Sequence, residues 1–96
     1  MKVFVTDKAN RDLLRTFAYL VQRNPTAAES LVRRIDEKFI QLSGLPFIGR
    51  QRSSLGPGIR SVVVGTHVIF YTVAQDSITI VRVIDGRMDI DEEFRR

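Results

Sequence analysis

Two arginines stand where arginine is uncommon. Arg60 lies in the run IRSVVV over Ile59–Val64, and Arg82 interrupts ITIVRVI over Ile78–Ile84. A guanidinium presents a rigid fork of donors that suits a carboxylate or a phosphate. Arginine is rarely buried without a partner. Each is therefore expected to meet an acid of this chain, such as Asp85 or Asp89, or to face an acidic ligand. Arg50 and Arg52 add positive charge within FIGRQRSSLGPG, residues Phe47–Gly58, which carries no acid. His67 is the one histidine and the only base available to a serine nucleophile. With no cysteine there is no thiol nucleophile, disulfide or thiolate metal site. Asp85, Asp89, Asp91, Glu92 and Glu93 crowd the tail, where solvated charge is the default. Gly56-Pro57-Gly58 lacks the Lys-Ser/Thr and following helix of a phosphate loop. Neither a metal site nor a cofactor is expected. The remaining chemistry is acid–base cleavage of a phosphodiester by the arginines with His67 or Tyr71.

Ninety-six residues, 44% hydrophobic and 27% charged, suit one globular domain spanning 1–96. Its polar tail starts at about residue 85. A domain this small buries only about 60–65% of its unfolded surface, so a partner that covers apolar surface would matter. No apolar run approaches the ~18–20 residues of a membrane span, and no basic-then-apolar leader is present. The chain is expected to be cytoplasmic. Its net charge is +4. Asp85–Arg96 holds five acids against three arginines, so the body, residues 1–84, has twelve basic residues against six acidic ones. A basic body suits an acidic partner, whether nucleic acid or protein.

These groups must be positioned by a recognisable series of elements. Lys2–Val5, KVFV, reads as a short strand. Thr6 or Asp7 can cap a helix whose stripe is Ala9, Leu13, Phe17, Leu20 and Val21, ending near Arg23. Asn24-Pro25 ends that helix and opens the next, since proline suits a first turn and asparagine a cap. The second stripe is Ala28, Leu31, Val32, Ile35, Phe39 and Leu42, stopped by Gly44 and Pro46, with Glu29, Arg33, Asp36 and Glu37 opposite. So tight a joint predicts an antiparallel helical hairpin. Ile59–Val64, His67–Val73 and Ile78–Ile84 then read as strands joined by turns at Gly65-Thr66 and Gln75-Asp76-Ser77. The order is β-α-α-β-β-β, an α+β domain with the hairpin packed on an antiparallel sheet. Lys2–Val5 is expected to pair with Ile59–Val64. The tail reads as a short helical turn or as disordered.

Strict alternation places Ile78, Ile80, Arg82 and Ile84 on one face of the last strand, and Thr79, Val81 and Val83 on the other. Both faces are apolar, as they are in the middle strand. Two helices cover one face only. The second must be covered by the tail, by another copy or by a different chain. If Arg60 and Arg82 both lie there, they form a basic patch.

Taken in order, a set of short motifs resembles a known family. These are Asp12-Leu13, then Asn24-Pro25 with Ala27-Ala28, then Leu45-Pro46 through Gly49-Arg50. Gly56-Pro57-Gly58-Ile59-Arg60, Val64-Gly65 and Val68-Ile69-Phe70-Tyr71 follow. Ile80-Val81-Arg82-Val83-Ile84 with Gly86 and Asp89 completes the set. From Ala9 to about Asp89 the chain resembles the ParE branch of the RelE/ParE toxin superfamily, the toxins of bacterial toxin–antitoxin and plasmid-stabilisation modules. The resemblance implies a cognate antitoxin that wraps the toxin with an acidic and apolar C-terminal segment. It also implies DNA gyrase as the target. RelE-like relatives instead cleave mRNA in the ribosome, which is the alternative activity.

Arg60 and Arg82 match the arginine positions of the nuclease branch. Asp85 stands where many relatives carry histidine, and the tail after Gly86 has no Tyr, His or Lys. A proton donor is thus missing, so the expectation is a gyrase inhibitor with no catalytic residue and no direct nucleic-acid binding. The candidates for toxicity and target binding are Arg50, Arg52, Arg60, Arg82, Arg87 and Phe94. The candidates for antitoxin binding are Leu13, Phe17, Leu20, Leu31, Ile35, Phe39 and Tyr71.

Overall fold

The computed structural model describes residues 1–96. Its elements are β1 (Lys2–Val5), α1 (Asp7–Arg23), α2 (Pro25–Gly44), β2 (Arg50–Gln51), β3 (Arg60–Val64), β4 (His67–Val73), β5 (Ser77–Asp85) and α3 (Ile90–Arg95). No helix is long and apolar enough to cross a membrane. Caps define the hairpin. The Thr6 hydroxyl accepts from the Ala9 amide at 3.1 Å, and Asn24 Oδ1 accepts from the Ala27 amide at 3.1 Å. Asn24 also closes α1 through its own N–H, and Pro25 occupies the first turn of α2.

The helical hairpin packs on a single five-stranded sheet ordered β1-β5-β4-β3-β2. The α+β class holds, but the sheet is mixed. β1 pairs in parallel with β5, Lys2 facing Ser77 and Val5 facing Ile80. The expected pairing with Ile59–Val64 does not form, because β2 occupies that edge of β3, with Arg50 opposite Ser61 and Gln51 opposite Arg60. A parallel pair needs a long crossover between its strands, and the chain from α1 to β4 supplies it.

The core joins Ala9, Ile35 and Leu42 from the helices to Val64, Ile69, Tyr71, Ile78, Ile80 and Val83 from the sheet. Strict alternation fails in β5. Tyr71 faces Ile80, yet the neighbouring Phe70 faces Arg82, so Val81 is an extra residue at a bulge. Directly opposed residues share a face. Ile78, Ile80 and Val83 therefore point into the core, while Arg82 goes to the far face with Phe70. That far face is covered in part by the tail. The α3 helix, capped by Asp89, lays Phe94 edge-on against Phe70 with ring centroids 4.9 Å apart.

Candidate functional site

Six of the predicted apolar residues come together. Leu13, Phe17 and Leu20 from α1, with Leu31, Ile35 and Phe39 from α2, line one groove of about 340 Å³ on the hairpin. The 3.6-residue repeat places each stripe on one side of its helix, and the tight Asn24-Pro25 joint sets the two stripes facing one another. Part of each stripe is spent on the core: Leu13, Leu31 and Phe39 also pack against the buried cluster. Leu14, 69% exposed, and Val32, 42% exposed, extend the groove outward. Tyr71 does not join it. Its ring is fully buried, and its hydroxyl donates to the Pro46 carbonyl at 2.7 Å and accepts from the Gly49 amide at 2.9 Å. Burial pushes the phenol pKa up. Tyr71 thus ties the loop after α2 to β4 and offers no surface to a partner.

The six candidates for toxicity and target binding do not form one patch. Arg60 and Arg82 lie on opposite faces, because Arg60 faces Tyr71 across the β3–β4 ladder and Arg82 faces Phe70 across β4–β5. Arg60 donates to the carbonyls of Gly49 at 2.8 Å and Phe47 at 3.2 Å, and its guanidinium stands 5.1 Å from the Phe47 ring centroid. Arg82 is buried. Its Nε reaches Asp12 Oδ2 at 2.8 Å, Nη2 reaches Asp12 Oδ1 at 3.0 Å, and Nη1 donates to the Glu93 carbonyl at 2.6 Å. The Glu93 carboxylate stands 3.7 Å away. The hydrogen bonds that Arg82 donates to Asp12 raise its pKa further, against the opposing effect of burial. Arg82 therefore pairs with an acid of this chain, but with Asp12 and Glu93 rather than Asp85 or Asp89. Beyond the end of β1, the β5 edge is open to α1, and Asp12 also accepts the Val83 amide there at 2.9 Å.

Arg52 packs 5.5 Å from the Phe70 ring centroid and contacts Ser61 Oγ at 3.4 Å, while Arg50 is exposed. Phe94 is spent on Phe70. Arg87 pairs with Asp85 at 2.6 Å. The hydrogen bonds from the Arg87 side chain and backbone hold the Asp85 carboxyl at about 2. His67 is buried, and burial lowers its pKa, with Arg87 acting in the same direction against Asp85.

The would-be nuclease groups are dispersed. His67 faces Val64 and Arg60 faces Tyr71, so they sit about 13 Å apart along the ladder, with Arg82 on the opposite face. No cluster of three or more potential metal-ligating side chains exists. Sequence reasoning passed over Asp12 as a partner for Arg82. The signal was present: an acid three residues after Ala9 lies on the stripe that α1 buries. It also passed over Arg15 and Arg34, which are exposed on the helices and line a second cleft with Gly65, Thr66 and His67.

Known proteins share this architecture. Residues 3–90 match the family described as the ParE toxin of type II toxin–antitoxin system, parDE. Toxin ParE3 of Caulobacter vibrioides is 33% identical over 90 residues, covering 93% of this chain and 90% of that protein. Toxin ParE1 of Mycobacterium tuberculosis is 35% identical over 68 residues, covering 70% and 69%. A solved structure described as the chromosomal ParDE TA system from P. aeruginosa superposes with a TM-score of 0.74 at 26% identity, covering 88% of this chain and 95% of that one. A match across nearly the whole chain, on the fold that builds the groove and the buried Asp12–Arg82 pair, places this protein in the ParE toxin family of type II toxin–antitoxin systems.

Proposed function

We propose that this chain inhibits DNA gyrase and thereby replication in the cytoplasm, and that a cognate antitoxin neutralises it by filling the hairpin groove. The observation that carries the antitoxin reading is the convergence of Leu13, Phe17, Leu20, Leu31, Ile35 and Phe39 on one open apolar groove. Grooves between amphipathic helices take amphipathic segments read through such anchors, and an exposed apolar groove on a soluble domain marks an interaction site.

The gyrase reading is supported by what the arginines are already doing. Stabilising a phosphorane needs guanidinium groups aimed at one point with a proton donor or acceptor beside them. Here Arg82 is committed to Asp12 and Glu93, Arg60 to two backbone carbonyls, and His67 stands at the other end of β3. The residues left to meet a protein target are the exposed Arg50, Arg52 of the same segment, and Arg87.

The test is supercoiling of relaxed plasmid by purified gyrase, with and without antitoxin-free protein, scored also for trapped cleaved DNA. Loss of supercoiling that the antitoxin reverses is expected. Unimpaired supercoiling, together with cleavage of translated mRNA in a ribosome assay, would establish the nuclease alternative instead.

A further inference from the structure

Buried chemistry is spent on holding one exposed turn. Residues Leu45–Gly49 follow α2, and their backbone is tied down almost group by group. The Leu45 amide donates to the Gln41 carbonyl at 2.8 Å, and the Ile48 amide donates to the Leu45 carbonyl at 3.4 Å. The buried Tyr71 hydroxyl bridges the Pro46 carbonyl and the Gly49 amide. Arg60 Nη1 bridges the carbonyls of Phe47 and Gly49. Gly49 is buried against the Tyr71 ring, which leaves no room for a side chain there. What this clamp displays is apolar. Leu45 is 55% exposed, Phe47 64% and Ile48 46%, and the Arg60 guanidinium stands against the Phe47 ring. The surrounding sequence is cationic. From Lys38 to Gln75 there is no Asp or Glu, while Arg50, Arg52 and Arg60 fall in that stretch. None of the three is ion-paired.

We infer that the Leu45–Gly49 turn is the anchor by which this chain grips the protein it inhibits, and that the target receives it in an apolar pocket edged by carboxylates. This rests on the gyrase reading above and names the surface that carries it. Binding energy concentrates in a few aromatic and arginine side chains seated in pockets. Anchors already fixed in their bound conformation lose little entropy on docking. Here Phe47 and Ile48 supply the apolar area, the clamp fixes them, and the exposed Arg50 follows to meet a carboxylate. Nucleic acid is a poorer match. Phosphates call for several free cations along a groove, whereas Arg60 is committed to two carbonyls and Arg52 to Phe70 and Ser61. A two-fold contact with a second copy sets Arg50 against its own charge. The antitoxin has a separate seat, since no residue of the turn lines the hairpin groove.

The experiment measures supercoiling by purified gyrase against increasing antitoxin-free protein, wild type and variant side by side. Phe47→Ser/Ile48→Ser is the test variant. Both side chains are exposed and the clamp runs through backbone groups, so thermal melts and antitoxin affinity by calorimetry should match wild type. The concentration that halves supercoiling should rise at least ~tenfold, while Phe47→Tyr, which keeps the ring, should stay near wild type. Arg50→Glu should raise it too, and rising salt should narrow its gap from wild type. If the double variant melts early, Ile48→Ser and Arg50→Glu decide by the same reading. If wild type itself leaves supercoiling intact, the gyrase reading falls and the inference falls with it. If wild type inhibits and Phe47→Ser/Ile48→Ser inhibits equally well, the gyrase reading stands and the inference is overturned. Full inhibition by Arg50→Glu would overturn the carboxylate edge. Unchanged inhibition by the double variant with loss of oligonucleotide binding, or of self-association, would assign the turn to nucleic acid or to a second copy, and would equally overturn the inference.

Discussion

Asp12 is the residue whose loss should be felt most. Its carboxylate accepts from Arg82 Nε at 2.8 Å, Arg82 Nη2 at 3.0 Å and the Val83 amide at 2.9 Å. Asp12 is 5% exposed and Arg82 7%. Asp12→Ala leaves a buried guanidinium facing only the Glu93 carboxylate 3.7 Å away and one carbonyl, and it leaves the Val83 amide without an acceptor. Breaking one side of a buried pair costs about 3–5 kcal/mol, because the remaining charge stays desolvated. A domain of this length has roughly 5–14 kcal/mol in all, so the variant would forfeit about a fifth or more. In urea, at about 1–2 kcal/mol per molar for a small protein, the midpoint should fall by about 1.5 M or more. Replacing both partners by apolar residues of similar volume, Asp12→Leu with Arg82→Met, should recover part of that loss, since the desolvation cost of both ions disappears while the Val83 amide stays without its acceptor and Glu93 without its arginine. A midpoint for Asp12→Ala within about 0.5 M of wild type, at unchanged slope, would refute the reasoning by showing that the pair is solvated in solution. The functional corollary is direct. Arg82→Ala should abolish growth arrest in proportion to its destabilisation, and Asp12→Leu/Arg82→Met should restore it; a stable Arg82 variant that is inert would make Arg82 a contact residue after all.

Other consequences can be checked on the same protein. Tyr71→Phe strands the Pro46 carbonyl and the Gly49 amide and should cost about 1–3 kcal/mol by chemical denaturation. Gly49→Ala drives a Cβ onto the Tyr71 ring, and overpacking of this kind should cost about 1–3 kcal/mol, with local loss of amide protection around residues 46–49. His67 has a folded pKa below its ordinary 6.5, chiefly through burial. The unfolded chain therefore binds more protons in that range, and stability should decline as pH falls from about 6.5, a slope that His67→Asn removes. The Asp85 carboxyl is held at about 2 by Arg87. Its contribution is complete above the ordinary 3.8 and is lost as pH falls from there towards 2; a carboxyl NMR titration should show Arg87→Ala returning Asp85 to the usual range.

Local chemistry made much of this molecule legible in one dimension. The stripes of α1 and α2 follow from a 3.6-residue repeat, and Asn24-Pro25 can satisfy a cap and a first turn in few other ways. With the stripes in register, the α+β class follows almost without tertiary information, whereas the division of each stripe between the sheet and the open groove does not. What eluded the sequence shares one cause: it depends on which chemically similar edge or face a segment meets. β1 could pair with β3 or β5, and the choice fell to β5 because two residues of an apparent loop, Arg50-Gln51, took the β3 edge. One extra residue at Val81 reversed the alternation of β5 and sent Arg82 away from Ile80. The acid that meets it, Asp12, lies seventy positions earlier and is brought to Arg82 by the path of α1 along an edge that β1 leaves open. Likewise Arg15, Arg34 and Arg87 are unremarkable surface charges until the hairpin and the β3–β4 turn bring them around one cleft. Periodicity and capping act over a few residues and can be read directly. Pairing, bulging and the gathering of distant charges are settled by competition among long-range contacts, and only the folded chain resolves that competition.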